Sequence, residues 1–493
     1  MTLFICNLRF TIPIVLILII YAQKQYTAHM QELSHPSLLV VDSVLDLVGN
    51  TPMLKMHTMD TGTCELFLKL ESQNPGQSIK DRIAITMIEK AERDGDLKKG
   101  VRIIEATAGN TGIALALIAS QKGYDITVVV PDKMSGGKIA HLRAMGAKVI
   151  MARSDVDKGH PDYYQDVAKR MADENGWFFV NQFSNEANVE AHYTTTGPEL
   201  WQQMDGNVDA IVVGVGSGGT VTGIGRYVKE QNPNVEMIIA DPEGSVITPL
   251  VNEGKVVSAG SWLVEGIGED FIPSITDLDL VSKAYWISDK DSFNTARDLL
   301  RKEGVLAGSS TGTLVAAALR WCKEQTEPKR VVTFACDHGS KYLSKMFNEY
   351  WMLDQGFIDR KSHGDLRDLI ARRHSTQEDF TLKETLPVIQ AIQNMRLYDI
   401  SQMAVLDEMD KVVGILDESD ILLAVTSNAE NFQKPVREFM TTELSTLSAT
   451  AEIDELLPLF AEDKVAIVFD QDNYLGLITK IDLINHLRKQ LPR

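Results

Sequence analysis

The chain carries Asn74-Pro75-Gly76-Gln77-Ser78-Ile79-Lys80-Asp81-Arg82 between a predicted strand and a predicted helix. Alternating apolar residues at 66–70 predict the strand, and the apolar spacing of 83–88 predicts the buried face of the helix. Pro75-Gly76 marks the junction, so Lys80 is expected on the first helical turn. The helix dipole disfavours a cation there and lowers the pKa of the amine, as Schiff-base chemistry requires. A solvated lysine lying along the helix is the competing interpretation of this segment alone.

From Val44 to about Met352 the sequence alternates short apolar strands with helical patterns. Strands that are apolar throughout and separated by helices predict parallel β-α-β units with both sheet faces covered. The predicted strands are 101–105, 126–130, 208–213, 237–240 and 330–334. The alternation therefore predicts an α/β fold for this part of the chain.

The last third of the chain contains an internal repeat. The run Val412-Val413-Gly414-Ile415-Leu416-Asp417-Glu418-Ser419-Asp420-Ile421 recurs as Tyr474-Leu475-Gly476-Leu477-Ile478-Thr479-Lys480-Ile481-Asp482-Leu483. Each copy predicts a helix, two strands joined by a turn, and a second helix. Two copies that cannot bury their sheets alone are expected to pair. The polar segment 354–373 before them is interpreted as a linker.

Length, charge and cysteine content exclude several classes of protein. A chain of 493 residues predicts two to four domains. A net charge of −19 without a basic stripe argues against a nucleic-acid partner. The four cysteines have no CxxC or Cys/His spacing, which predicts no metal site, no disulfide framework and a reducing, cytoplasmic location.

One apolar segment, Phe10–Ala22, does not fit that location. It is short for a membrane span, Pro13 interrupts it, and no small-residue cleavage site of a signal peptide follows. The favoured interpretation is that translation begins at Met30, and a membrane anchor is the second.

Three loops add groups that could surround one cofactor. Thr107-Ala108-Gly109-Asn110-Thr111-Gly112 is predicted to lie between a strand and a helix, where backbone N–H groups suit a carboxylate. Gly214-Val215-Gly216-Ser217-Gly218-Gly219-Thr220 has the composition of a phosphate cradle. Ala307-Gly308-Ser309-Ser310-Thr311-Gly312 places a hydroxyl where it could face a heterocyclic nitrogen, although a capped helix start is the simpler interpretation.

The second of these loops also allows a nicotinamide-dinucleotide interpretation. It contains G-x-G-x-x-G, and Asp241 ends the next predicted strand near the spacing of a ribose-binding acid. The loop lies in the middle of the domain rather than at its start. The hydroxyls of Ser217 and Thr220 also suit a phosphate monoester.

Together these motifs give the chain a specific resemblance. It resembles the fold-type II pyridoxal-phosphate enzymes of the cysteine synthase and cystathionine β-synthase family, from about Ser43 to Phe357, through S-x-K-D-R, T-S-G-N-T-G, G-T-G-G-T and G-x-S-[SA]-G or close variants. Segments 241–245, 264–273 and 351–353 are most similar to the cystathionine β-synthase branch. The C-terminal pair resembles CBS (Bateman) repeats.

The resemblance implies a division of the chain into five parts. An N-terminal extension, 1–37, precedes a catalytic domain, 38–353, with two subdomains and parallel sheets. A linker, 354–373, then leads to a first repeat, 374–428, and a second, 429–493, which form an α+β module.

The resemblance also implies roles for individual residues. Lys80 would bind pyridoxal phosphate covalently and act as base and acid, and Asn110 would hold its phenolic oxygen. Ser310 would face the ring nitrogen. The implied phosphate-binding residues are Gly216, Ser217, Gly218, Gly219 and Thr220. The implied substrate-binding residues are Thr107, Ala108, Gly109, Thr111 and Gln182.

The implied reaction is condensation of L-serine with L-homocysteine to cystathionine and water. The nearest rival is cysteine synthesis from O-acetylserine and sulfide, because Phe183 and the segments 181–185 and 195–199 are cysteine-synthase-like. Ala108 stands where the family usually has serine. The N-terminus lacks the cysteine and histidine pair of the haem-binding animal enzymes, so no haem is expected. A nicotinamide-dependent oxidoreductase and a ligand sensor with a vestigial catalytic domain are the competing hypotheses from different functional classes.

For the repeats, the resemblance implies an adenosyl ligand, S-adenosylmethionine or AMP, held by G-x-x-[TS]-x-x-D. Gly476, Thr479 and Asp482 match this motif, whereas the first copy has Asp417 in place of the hydroxyl residue. A pair that only dimerises is the competing interpretation. Paired repeats favour a homodimer or a higher homo-oligomer.

Overall fold

The computed structural model describes residues 40–489, except 108, 133, 135, 154, 157 and 158. The described chain divides into two compact units, one ending at Lys341 and the other starting at Tyr342. The expected extension 1–37 and Ala108 lie outside the described residues.

The first unit alternates strands and helices along the chain. Its strands are β1 Met53–Lys55, β2 Glu65–Lys69, β3 Ile103–Ala106, β4 Ile126–Pro131, β5 Lys148–Ala152, β6 Phe178–Phe179, β7 Ala210–Val213, β8 Glu236–Pro242, β9 Lys283–Ile287 and β10 Arg330–Phe334. Its helices are α1 Lys80–Asp94, α2 Asn110–Lys122, α3 Gly136–Ala144, α4 Tyr164–Asn175, α5 Glu186–Ala191, α6 Gly197–Gln203, α7 Gly219–Gln231, α8 Ile247–Glu253, α9 Asp289–Glu303 and α10 Ser309–Lys323.

The strands of this unit form two sheets, one for each subdomain. The larger has the order β1-β2-β10-β7-β8-β9, in which only β1 is antiparallel to its neighbour. The smaller has the order β5-β4-β3-β6 and is wholly parallel. The α/β class and the parallel sheets predicted from the alternation are therefore confirmed.

Helices α1 and α2 begin at the two loops that matter most for chemistry. Ile83, Met87 and Ile88 of α1 share one buried apolar cluster with Ile113 and Ile118 of α2. Because each burial removes apolar surface from water, this packing holds the helix starts in place. Helix α1 follows β2 along the chain, and α2 follows β3. Both helix starts therefore lie at the carboxyl-terminal ends of these strands, where open α/β sheets bind ligands.

The second unit contains two similar three-stranded sheets. Its strands are β11 Thr381–Lys383, β12 Gln402–Leu406, β13 Val412–Asp417, β14 Thr446–Ser448, β15 Ala466–Asp470 and β16 Asn473–Ile478. Its helices are α11 Glu349–Asp354, α12 Val388–Tyr398, α13 Glu418–Ser427, α14 Leu456–Ala461 and α15 Lys480–Lys489. In each sheet the first two strands are parallel and the last two form a hairpin. The two copies expected from the internal repeat thus have the same topology.

The segment expected to be a linker is partly built into the second copy. Leu366, Leu369 and Ile370 are buried in the apolar cluster that contains Val468 and Ile478. The Leu366 N–H donates to the Ala449 carbonyl at 3.0 Å. Charged neighbours hide this short apolar set in the sequence. Among the described residues, no helix has the length and apolarity needed to cross a membrane.

Candidate active site

The loop Gly214–Gly219 joins β7 to α7 and passes very close to its neighbours. A Cβ atom on Gly216 would lie 2.6 Å from the Gly266 carbonyl oxygen, and one on Gly219 would lie 2.0 Å from Asn188 Oδ1. Gly218 has φ +90° as well as no room for a side chain. Only glycine fits these positions, and the resulting bare backbone at a helix N-terminus is suited to a phosphate group.

Side-chain hydroxyls complete this cradle. Asn188 Nδ2 donates to Ser217 Oγ at 2.8 Å, and Thr220 Oγ1 lies 3.1 Å from His192 Nε2. Burial lowers the pKa of His192 well below its usual value, so the imidazole is neutral. Asn188 Oδ1 is buried beside the loop and has no hydrogen-bond partner among the described residues.

Lys80 is the first residue of α1, as the sequence predicted. Its loop is held against the end of β10, because Ile79 N–H donates to the Cys336 carbonyl at 2.9 Å. Burial lowers the pKa of the Lys80 amine, and the negative charges of Glu269 and Asp337 oppose that shift. A buried amine with a lowered pKa spends more time as the neutral nucleophile that Schiff-base formation requires.

The neighbours of Lys80 explain the rest of its motif. Asp81 accepts a hydrogen bond from the Gly76 N–H, and a Cβ atom on Gly76 would meet that carboxylate at 2.4 Å. Arg82 is buried and binds Glu71 through Nε and Nη2, at 2.7 and 2.9 Å. It also binds Glu199 through Nη1 and Nη2, at 2.7 and 2.6 Å. These contacts fix the turn on which Lys80 stands.

Asn110 opens α2 and joins two residues that the sequence did not single out. Its Nδ2 donates to Asp337 Oδ2 at 2.9 Å, and its Oδ1 accepts from Lys341 Nζ at 2.7 Å. Both partners follow β10, which is the central neighbour of β2 and β7. The rule that ligands bind at the carboxyl ends of parallel strands would have drawn attention to this loop.

The expected carboxylate site is also assembled from separate loops. Thr111 Oγ1 donates to Gln182 Oε1 at 2.7 Å, and Gly109 N–H donates to Thr107 Oγ1 at 3.2 Å. Beneath them lies Glu105, whose pKa burial raises to about 8, while hydrogen bonds from the backbone of Ala106, Asn181 and Gln182 oppose the shift. Glu105 therefore ties the end of β3 to the loop that carries Gln182.

Ser310 lies in the first turn of α10 and is buried. Its hydroxyl is hydrogen-bonded to the thiol of Cys336. Burial raises the pKa of that thiol to about 12, so Cys336 is a neutral group at physiological pH. One segment, 336–341, thus interacts with all three residues: with the Ser310 hydroxyl and Asn110 through hydrogen bonds, and with the Lys80 amine through charge. A single site requires such a shared neighbour.

Asp241 does not support the dinucleotide interpretation. Its Oδ2 accepts hydrogen bonds from the Thr248 N–H and hydroxyl, at 3.0 and 2.9 Å, and the residue is fully buried. Its carboxylate therefore ties the end of β8 to the start of α8 and is not presented to a ribose.

The second unit contains a cavity of about 630 Å³ lined by both residues expected to bind a regulatory ligand. Thr479 donates through its N–H and its hydroxyl to Asp482 Oδ2, at 2.7 and 2.6 Å. Arg372 and Tyr350 also line this cavity, and the sequence did not identify either because both precede the recognisable repeats. In the first repeat, Asp417 and Asp420 bind each other's backbone N–H groups, at 3.2 and 2.8 Å. That position therefore carries two carboxylates.

The first unit fits pyridoxal phosphate by these criteria. The cradle accepts a phosphate, a buried amine of lowered pKa stands at the same sheet edge, and amide and hydroxyl groups are available for the ring substituents. Among the described residues, no cluster of His, Cys, Asp and Glu side chains is arranged to hold a metal ion.

Comparison with known proteins agrees with this fit. The sequence pattern of the family "Pyridoxal-phosphate dependent enzyme" matches residues 44–337, and that of the CBS domain matches 367–427 and 436–489. Cystathionine beta-synthase from Apis mellifera is 33% identical over 462 residues, covering 91% of each chain. The protein of that name from Dictyostelium discoideum is 34% identical over 473 residues, covering 92% of this chain and 93% of its own.

A solved structure supports the fold of the first unit. A hydrogen sulfide-producing enzyme from Fusobacterium nucleatum is 38% identical, with a TM-score of 0.58, and matches 62% of this chain and 100% of its own. The chain therefore belongs to the pyridoxal-phosphate dependent enzymes and, within them, to the cystathionine beta-synthase family that carries CBS domains.

Proposed function

We propose that the chain condenses L-serine with L-homocysteine, using pyridoxal phosphate, to give cystathionine and water. The observation that carries this proposal is Lys80, partly buried and with an amine of lowered pKa, at the edge of the larger sheet where the Gly214–Gly219 cradle also lies. Asn110 and Ser310 reach the same site through their contacts with the segment 336–341. When bound, the cofactor supplies an electron-withdrawing ring that makes the serine Cα proton acidic. The relatives named cystathionine beta-synthase support this reaction over cysteine synthesis.

The chain's own residues have distinct roles in this proposal. Lys80 holds the cofactor and, when released, takes the proton from serine Cα and later returns it. Asn110 binds the phenolic oxygen. Ser310 faces the ring nitrogen and, as a neutral hydroxyl, does not keep it protonated. The residues that bind the phosphate are Gly216, Ser217, Gly218, Gly219 and Thr220.

The carboxylate of serine is bound between two loops. Thr107, Gly109 and Thr111 provide hydroxyl and backbone groups at the start of α2, and Gln182 faces Thr111 from the other loop. Ala108 belongs to the same proposed set. A carboxylate at this helix N-terminus is favoured by the helix dipole and by the free N–H groups.

Product analysis tests the proposal. The purified holoenzyme is incubated with serine plus homocysteine and, separately, with O-acetylserine plus sulfide. Cystathionine formed in the first mixture is the expected result, and turnover in the second mixture alone would contradict it. Lys80→Ala should lose the visible absorbance of lysine-bound cofactor and about 10²–10⁴-fold of the activity, since it removes the acid–base group.

The C-terminal unit is proposed to be regulatory. An adenosyl ligand, S-adenosylmethionine or AMP, is expected in the cavity at Thr479 and Asp482, with the Asp482 carboxylate accepting from the ribose hydroxyls. The proposal includes the division into extension, catalytic domain, linker and two repeats. It also includes a homodimer or higher homo-oligomer, a cytoplasmic location and no haem.

A further inference from the structure

Part of the segment 264–273, which resembles the cystathionine β-synthase branch, lies against the cofactor cradle. Gly268 N–H donates to the Val215 carbonyl at 2.9 Å, and the Gly266 carbonyl oxygen fills the space where a side chain on Gly216 would lie. Further along, Phe271 packs on Phe183, with ring centroids 5.5 Å apart. The loop 265–271 therefore runs from the phosphate cradle to the residue that follows Gln182.

Glu269 lies in the middle of this loop and its backbone is fixed. Its N–H donates to Ser245 Oγ at 3.2 Å, and its carbonyl accepts from the Val246 N–H at 3.1 Å. The side chain is neither fully buried nor fully exposed. Its negative charge acts on the Lys80 amine, where it opposes the effect of burial on the pKa. Glu269 is thus held on the loop that contacts the cradle, and its side chain is partly accessible from solvent.

The smaller subdomain faces the same loop. Burial raises the pKa of Tyr163 to about 12, and the charges of Asp270 and Glu269 add to that shift. The rings of Tyr163 and Tyr164 lie 4.8 Å apart. Lys138 of α3 forms an ion pair with Glu265, at the start of the loop. The loop that carries Glu269 therefore contacts both the cofactor cradle and the smaller subdomain.

We propose that the Glu269 carboxylate binds the α-ammonium group of an incoming amino-acid thiol and so selects that thiol over hydrosulfide. This inference rests on the proposed synthesis of cystathionine and assigns the second substrate's amine to a specific residue. A carboxylate attracts the ammonium group of a zwitterion through a charge-assisted hydrogen bond. The same carboxylate repels hydrosulfide, which carries only negative charge.

The test uses the holoenzyme with saturating serine and compares three thiols: homocysteine, 4-mercaptobutyrate and sulfide. The second has the thiol and carboxylate of homocysteine without its amine. The wild-type enzyme should prefer homocysteine to 4-mercaptobutyrate in kcat/KM by about 10–100-fold, the worth of a charge-assisted hydrogen bond. In Glu269→Gln that preference should fall close to one, because the KM of homocysteine rises. The KM of serine should stay the same, and kcat/KM for sulfide should not decrease.

Two further variants separate recognition from folding. Glu236→Gln removes the same charge from the exposed, amino-terminal end of β8 and should keep the wild-type preference. Glu269→Asp keeps the charge and should restore part of it. An unchanged preference in Glu269→Gln, or an equal loss for homocysteine and 4-mercaptobutyrate, would overturn the inference while leaving cystathionine synthesis intact. A wild-type enzyme that forms no cystathionine would overturn both this inference and the proposed function.

Discussion

At the scale of single residues, Glu105 links the substrate loops through a buried carboxyl group that is mainly protonated at neutral pH. Burial raises its pKa to about 8, and it accepts hydrogen bonds from the backbone of Ala106, Asn181 and Gln182. Glu105→Gln retains a neutral acceptor of the same shape and should preserve the free energy of unfolding below pH 4.5, where the wild-type carboxyl is protonated in the folded and the unfolded chain. Glu105→Ala leaves buried N–H groups without an acceptor and should cost about 1–3 kcal/mol, measured by urea denaturation.

The same residue makes a prediction about pH. The folded-state pKa of about 8 lies above the ordinary value of 4.5, so the folded state binds more protons between these values. The contribution of Glu105 to stability is therefore lost as pH rises from 4.5 to 8. The difference in unfolding free energy between wild type and Glu105→Gln, measured across this range, should change in that direction. A difference that does not vary with pH would show that Glu105 is ionised in the folded protein.

At the scale of elements, the turn from β7 into α7 should control cofactor binding without controlling the fold. Gly219→Ala places a methyl group against Asn188 Oδ1 in the proposed phosphate cradle. We expect at least a tenfold loss of affinity for pyridoxal phosphate, measured by titration of the cofactor-free protein, since a misplaced N–H group forfeits a charge-assisted hydrogen bond. Gly137→Ala, in α3 and with no atom of the described residues within 4 Å of its Cβ position, is the matched control. Equal affinities in the two variants would contradict the assignment of the cradle.

The ion cluster behind helix α1 gives a second prediction at this scale. Arg82→Leu leaves the carboxylates of Glu71 and Glu199 buried without their main counter-charge. The free energy of unfolding should fall by about 3–5 kcal/mol in urea denaturation. Arg93→Leu changes an arginine of the same helix whose side chain is 62% exposed, and should have little effect. Equal losses would mean that helix propensity, rather than the buried cluster, sets the cost.

The elements also show how far local sequence patterns reach. The strand predicted at 330–334 was found at those residues, and the strand predicted at 126–130 is one residue longer and ends at Pro131. The placement of Lys80 on the first helical turn also followed from local signals. The contacts of Asn110 with Asp337 and Lys341 did not, because they join residues more than 200 positions apart. Such contacts depend on the order β2-β10-β7, which no single motif specifies.

At the scale of the whole molecule, each unit has its own proposed ligand site, and the two can be tested separately. In the second unit, Asp482 already accepts two hydrogen bonds from Thr479, and burial raises its pKa. Asp482→Ala should abolish binding of S-adenosylmethionine or AMP in calorimetric titration, while leaving basal cystathionine synthesis unchanged. Asp420→Ala changes the corresponding acid of the first repeat and should leave binding unchanged. Loss of binding in Asp420→Ala alone would place the ligand in the first repeat.

The second unit is also where sequence reasoning was least complete. The repeat predicted both sheets and the motif around Thr479. Leu366, Leu369 and Ile370 belong to the core of the second copy but lie in a polar segment outside the repeat. Arg372, which lines the ligand cavity, comes from the same segment. Core residues that lie outside a repeat do not recur in its other copy, so comparison of the two copies does not reveal them.

The choice of second substrate decides the central claim. The holoenzyme is given serine together with equal concentrations of homocysteine and sulfide, and the products are quantified by mass spectrometry. Competition at equal concentrations reports the ratio of the two kcat/KM values directly. The proposed function predicts that cystathionine is the main product. Cysteine as the main product would contradict it and would assign the chain to sulfide-dependent synthesis instead.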